Sequence, residues 1–164
     1  MPQYKYLFGP VPSRRLGISL GVDLIPPKTC SLNCIYCECG KTTNLTIERK
    51  AYVPTEMVLA ELKTFLSPTP QLDYITFSGS GEPTLHAGIG EITMFLKENF
   101  PAYKIALLTN GTLFFQPELI QEVQKIDLIL PSLDAASDLI FKKINRPFHQ
   151  LKLDSVIKGL IELR

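Results

Sequence analysis

DYITFSGSGEPT, Asp73 to Thr84, holds the reading on which the fold turns. Its first half is rich in aromatic and β-branched residues and reads as a strand, then breaks into small and polar residues closed by a proline. Beyond the break, Ile89, Ile92, Phe95 and Leu96 fall at helical spacing. The order is therefore strand, small polar loop, helix.

That order recurs on both sides. Upstream, LGISLGVDLI (16–25) alternates apolar and small residues, stops at Pro26 and Pro27, and is followed by a helix start at Val53-Pro54-Thr55-Glu56. Val58, Leu59, Leu62, Phe65 and Leu66 form that helix's apolar stripe up to Pro68. Downstream, YKIALLT (103–109) precedes PELIQEVQK (117–125). DLILPSL (127–133) then precedes helical ASDLIFKKI and the terminal LDSVIKGLIELR. Four strand-then-helix units in series imply an α/β fold with a parallel sheet and right-handed crossovers. All loops leaving the carboxyl ends of such strands lie on one face, where ligands bind. Here those loops carry the cysteine-rich run 30–39, Ser78 to Thr84, Leu108-Thr109-Asn110-Gly111, and Ser132-Leu133-Asp134. A single site spanning them is expected.

The bulk properties set the class. With 164 residues, 45% hydrophobic and 20% charged, the chain can bury one core, and one domain is expected. A net charge of +1 excludes a strong basic field of the kind that marks nucleic-acid or membrane-surface binders. MPQYKYLFGPVPSRR lacks a leader pattern and no apolar run approaches a membrane span, so a cytoplasmic protein without membrane association is expected.

The four cysteines, Cys30, Cys34, Cys37 and Cys39, lie within ten positions. Bridges among them would close only tiny loops, so a disulfide framework is disfavoured and a metal or cluster favoured. Zinc sites join two separated knuckles, and this chain has one, which only His86 or His149 could complete. Soft thiolates also suit iron-sulfur clusters, and three of them would leave one iron open to a small molecule.

Cys30-x3-Cys34-x2-Cys37, with Tyr36 before the last cysteine, resembles the signature of the radical S-adenosylmethionine (SAM) superfamily. Ser80-Gly81-Glu82-Pro83 resembles that family's Gly-Gly-Glu-Pro segment, and Thr109-Asn110-Gly111 its third-strand ending. Ser132 with Asp134 resembles its ribose-contacting strand, and Arg146 stands where members often place a basic partner for the methionine carboxylate. The wider FGPVPSRRLGISLGVDLIPPKTC resembles a branch related to wyosine-type tRNA-modifying enzymes.

The resemblance implies a partial TIM-like barrel truncated to about four of the usual six βα units. Residues 1–164 would form the amino-terminal part of the radical SAM core, the rest of the barrel lying outside the chain. It implies a 4Fe-4S cluster held by Cys30, Cys34 and Cys37, and SAM contacted by Tyr36, Ser80, Gly81, Glu82, Thr109, Asn110, Ser132, Asp134 and Arg146. Reductive cleavage of SAM would yield methionine and a 5'-deoxyadenosyl radical that abstracts hydrogen from a substrate. An electron donor such as flavodoxin or ferredoxin would supply the electron. The branch suggests a tRNA base as substrate, with a small molecule or a protein glycine as alternatives. Cys39 is read as a bystander, because a fourth thiolate would occupy the open iron. Asp134 also reads as a helix N-cap, and Asn110-Gly111 also reads as a generic turn. Arg14 and Arg15 read equally as substrate or surface residues. A different class of function is a non-catalytic cluster module for electron transfer, completed by an oligomer or partner chain along the open sheet edge.

Overall fold

The computed structural model describes residues 4–164; residues 1–3, the first positions of the stretch read above as lacking a leader, lie outside the described residues. In chain order the elements are β1 (Leu7–Ser13), β2 (Gly17–Val22), β3 (Thr29–Cys30), β4 (Asn44–Leu45), α1 (Thr55–Leu66), β5 (Tyr74–Phe77), α2 (Ile89–Asn99), β6 (Lys104–Thr109), α3 (Pro117–Val123), β7 (Leu128–Pro131), α4 (Asp138–Ile140) and α5 (Leu153–Glu162). A π-helical stretch, Phe141–Asn145, continues α4.

One sheet runs β1-β2-β5-β6-β7, and β2, β5, β6 and β7 are parallel in sequence order. The four repeated units thus form an open parallel sheet, as a partial barrel requires. Its first strand was not anticipated: β1 pairs antiparallel to β2 and forms the edge. Gly9, Pro10 and Pro12 hide it in the sequence, since proline within a strand is tolerated only at an edge or a bulge. The register indeed shifts between Phe8 and Val11. At the other side β7 has no strand partner on its outer edge among the described residues.

Side-chain alternation divides the sheet's two faces. Leu20, Val22, Ile75, Phe77, Ile105 and Leu107 share one buried cluster with Val58, Leu62 and Leu66 of α1, Ile89, Ile92 and Leu96 of α2, and Leu119 and Val123 of α3. Alternating with them stand Ser19, Gly21, Thr76 and Ala106, which present small residues to the opposite face. Ser19 and Thr76 pair their hydroxyls there at 2.6 Å. A second buried cluster, Leu32, Ala135, Phe141, Leu151, Leu153 and Val156, lies under the cysteine loop, and Cys30 and Cys34 pack on it. Among the described residues no helix is long and apolar enough to cross a membrane.

Phe77 is fully buried in the main cluster. Phe77→Ala should cost about 3–5 kcal/mol in unfolding free energy, measured by urea titration.

Candidate active site

The loop after β5 is built for close approach. Gly79 has φ 133, and a β-carbon there would strike the Asp23 carboxylate. That carboxylate accepts Ser80 N at 3.3 Å and Ser80 Oγ at 3.2 Å. A β-carbon on Gly81 would strike the Thr29 carbonyl. Immediately afterwards the Glu82 amide donates to that same carbonyl at 3.1 Å. Both glycines are needed because backbone, rather than side chain, meets the segment entering the cysteine loop.

Glu82 itself is buried, and its side chain is saturated by donors from two loops. Oε1 accepts Thr84 N at 3.2 Å, Thr84 Oγ at 2.6 Å and Thr109 Oγ at 2.6 Å; Oε2 accepts Asn110 N at 2.7 Å. Burial pushes its carboxyl above the usual range, outweighing the pull of these donors. Glu82 is a tie between the loops after β5 and β6.

The cysteine loop is held from the far side of the site. Asn33 N donates to Asn145 O at 2.9 Å and to Arg146 O at 3.2 Å, and Ile35 N donates to Ile144 O at 2.9 Å. Each of the three motif sulfurs then receives a nitrogen donor from elsewhere in the chain. Cys30 Sγ takes Leu32 N and Asn110 Nδ2, both at 3.5 Å; Cys34 Sγ takes Asn145 Nδ2 at 3.4 Å; Cys37 Sγ takes Lys28 Nζ at 3.2 Å. Burial, with the nearby Glu82 carboxylate, pushes the Cys30 thiol up to about 12. Burial also acts upward on Cys37, but the Lys28 ammonium and the Cys39 groups outweigh it and leave that thiol below its ordinary value. Asn145 Nδ2 also meets Tyr36 OH at 2.7 Å, and that hydroxyl donates to Asp134 Oδ2 at 2.6 Å. The chain of contacts leaves Asn145 Oδ1 buried without a partner.

These groups enclose a cavity of about 510 Å³, a size suited to a small-molecule ligand. Cys30, Cys34, Tyr36, Cys37, Gly81, Glu82, Thr109, Asn110, Ser132 and Asp134 all line it. Ser80 does not; its side chain is spent on Asp23. Arg146 also stands outside the lining, exposed and with left-handed backbone (φ 45), and its carbonyl is what the cysteine loop uses. The cation that does line the cavity is Arg15, from the β1–β2 turn. Asp134 does not cap α4, whose N-cap is Ser137.

Lys28 and Asn145 were missed in the sequence. Neither stands in a motif, and Asn145 is one position from the more conspicuous Arg146. Cys39 is exposed and outside the cavity lining.

The donor set fits an iron-sulfur cluster. Three soft sulfurs border one cavity, each with an N–H directed at it, the arrangement that tunes cluster thiolates. Among the described residues, no three of His, Cys, Asp and Glu converge on a point that would hold a single ion. A cubane binds its thiolates through separate irons and does not require such convergence. His86, one of the two candidates for completing a zinc site, is fully buried, with Nδ1 accepting Gly88 N at 3.0 Å and Nε2 meeting Val53 O at 2.9 Å. Burial keeps its pKa below the ordinary value.

The family model for the radical SAM superfamily matches residues 24–164. A UPF0026 protein of Methanocaldococcus jannaschii is 38% identical over 96% of this chain and 49% of its own length. A UPF0026 protein of Synechocystis is 38% identical over 94% of this chain and 57% of its own. A protein named GTPase Obg of Brachyspira hyodysenteriae is 41% identical over 98% of this chain but only 23% of its own length. The chain thus spans roughly half, or less, of the curated relatives it matches. Among solved structures, that of TYW1 with a lysine-pyruvate adduct bound superposes with a TM-score of 0.53 at 17% identity, covering 88% of this chain and 50% of that one. This is a likeness of fold.

Glu82→Gln keeps the shape but turns an NH2 toward groups that donate, leaving at least one of them unpaired at roughly 1–3 kcal/mol each. Because Glu82 holds its proton more tightly folded than unfolded, wild-type stability should fall as pH rises from the ordinary carboxylate pKa, about 4.3, toward the raised folded value. Thermal melts across that window should show this slope in wild type and its loss in Glu82→Gln.

Proposed function

The chain belongs to the radical SAM superfamily, and from that premise we propose that it works as a radical SAM enzyme on a 4Fe-4S cluster held by Cys30, Cys34 and Cys37. The supporting observation is that these three sulfurs, each accepting an N–H, border the same cavity as the loops after β5, β6 and β7. When bound, the reduced cluster would supply the electron that cleaves SAM to methionine and a deoxyadenosyl radical, which takes hydrogen from substrate. The protein's own part is positioning.

Backbone carbonyls around Gly81 are suited to the methionine ammonium, whereas the Asn110 amide is spent on Cys30, Ser31 and Thr112. Ser132 and Asp134 are suited to the ribose hydroxyls, with Tyr36 beside them and already bonded to Asp134. Glu82 holds the loops rather than the ligand, since all its contacts are internal. Arg15 replaces Arg146 as the cation for an anionic group. It arrives from the amino end of β2, opposite the loops assigned to SAM, so the anion we assign it belongs to the substrate.

The substrate reading is a tRNA base, from the resemblance of residues 8–30 to the wyosine-related branch; a small organic anion also suits Arg15. The lysine-pyruvate adduct belongs to TYW1. Among the described residues here no lysine lines the cavity. The GTPase in the Brachyspira protein's name is not carried over: Gly40-Lys41-Thr42 has Ile35 where a phosphate-binding loop needs its first glycine, and no helix follows it. Residues 1–164 make up the amino-terminal part of the barrel in this reading, and a flavodoxin- or ferredoxin-type donor provides the electron. The outer edge of β7, without a strand partner among the described residues, favours a second reading, a cluster module completed by a partner strand.

Electron paramagnetic resonance on anaerobically reconstituted, dithionite-reduced protein should show a 4Fe-4S signal that changes when SAM is added and is lost in Cys34→Ala. Deoxyadenosine should accumulate; its absence together with a SAM-indifferent signal would favour the module. Arg15→Gln should leave iron content and the SAM-induced change as in wild type. Loss of that change would move Arg15 to the SAM carboxylate.

A further inference from the structure

Lys28 occupies a backbone position that suits it poorly. Its φ is 62, in the left-handed region that β-carbon crowding makes unfavourable for every residue but glycine. It is held there from both sides. Its amide donates to Ser80 O at 3.0 Å, and its carbonyl accepts Thr43 N at 3.0 Å and Asn44 N at 3.1 Å. Glycine would meet the same hydrogen bonds without strain. The lysine side chain is in use: its Nζ lies 3.2 Å from Cys37 Sγ. Among the described residues no carboxylate pairs with this ammonium.

The other two motif sulfurs receive their donors from neutral groups: Leu32 N and the Asn110 amide on Cys30, and the Asn145 amide on Cys34. Two carboxylates, Glu82 and Asp134, also line the cavity. Burial and then Glu82 raise the Cys30 thiol, and Asp134 is linked to Cys34 through Tyr36 and Asn145. Among the described residues Lys28 is thus the one cation in hydrogen-bond contact with a motif sulfur.

We propose that Lys28, acting through Cys37, raises the reduction potential of the cluster and so sets how readily it accepts the electron used on SAM. This rests on the reading above that the three thiolates hold a 4Fe-4S cluster. One-electron reduction adds one negative charge to the cluster, with the electron coming from the external donor and no proton leaving Lys28. A fixed positive charge at hydrogen-bond distance stabilises the reduced state more than the oxidised one. The strained backbone is tolerated because it aims the ammonium at Cys37.

Three variants separate charge from backbone. Lys28→Arg keeps the charge, Lys28→Met removes it and keeps the strain, and Lys28→Gly removes both. Iron and sulfide content of the anaerobically reconstituted proteins tests the cluster reading by itself: absence of iron and sulfide from wild type would sink that reading. The inference is read from potentiometric titration with dithionite and mediators, without SAM. In the Met and Gly variants the reduced-to-oxidised ratio at a fixed potential should fall about tenfold, a shift of about 59 mV to more negative values for a one-electron couple. Lys28→Arg should stay near wild type. Wild-type potentials in Met and Gly would overturn the proposal. So would a shift in Met absent from Gly, which would assign the effect to strain. Loss of cluster from both neutral variants while Arg keeps it would also overturn it, making the charge a requirement for assembly instead.

Discussion

The buried carboxylate of Glu82 is the constraint on which the site depends. Four donors from Thr84, Thr109 and Asn110 converge on it, and its own amide reaches back to Thr29, one residue before the first cysteine. A buried carboxylate is costly unless every lone pair is used. The converse is that groups using those lone pairs are held firmly. Through this one side chain, the cysteine segment and the loops after β5 and β6 share a common frame.

The opposite wall is assembled differently. Between β7 and α5, the stretch from Ile144 to Arg146 offers backbone carbonyls to Asn33 and Ile35, while Asn145 extends its amide to Cys34 and Tyr36. Beneath it, Phe141 and Val156 pack with Leu32 of the cysteine loop. The cysteine loop therefore rests on its own small core and is sewn to the site by amides. Arg146 contributes here through its carbonyl, which explains its left-handed conformation better than an extended reach toward a ligand would.

Much of the architecture was legible because it follows from periodicity. Ile75 and Phe77 alternating in β5, and Val58, Leu62 and Leu66 spaced along α1, mark faces that must be buried, and burial of those faces dictates a parallel sheet. β1 was illegible for the matching reason: Pro10 and Pro12 remove ladder donors, and only an edge position forgives that. The motif residues from Cys30 to Asp134 could be assigned to one face because every parallel strand delivers its carboxyl-end loop there. Arg15 could not, since it enters from the other end of the strands.

What the sequence determined by itself is the order of strands and helices and the chemistry carried on the loops, three thiols and a set of small polar groups. Both are local, written in spacing and side-chain type. The tertiary structure alone decided which partner each group meets: Glu82 with Thr109 and Asn110, Asn145 with Cys34, Arg15 in the cavity in place of Arg146. These contacts join positions 27, 28 and 111 residues apart in the first three pairings. Distances of a few ångströms between such remote residues depend on how the layers pack, and no local pattern encodes them.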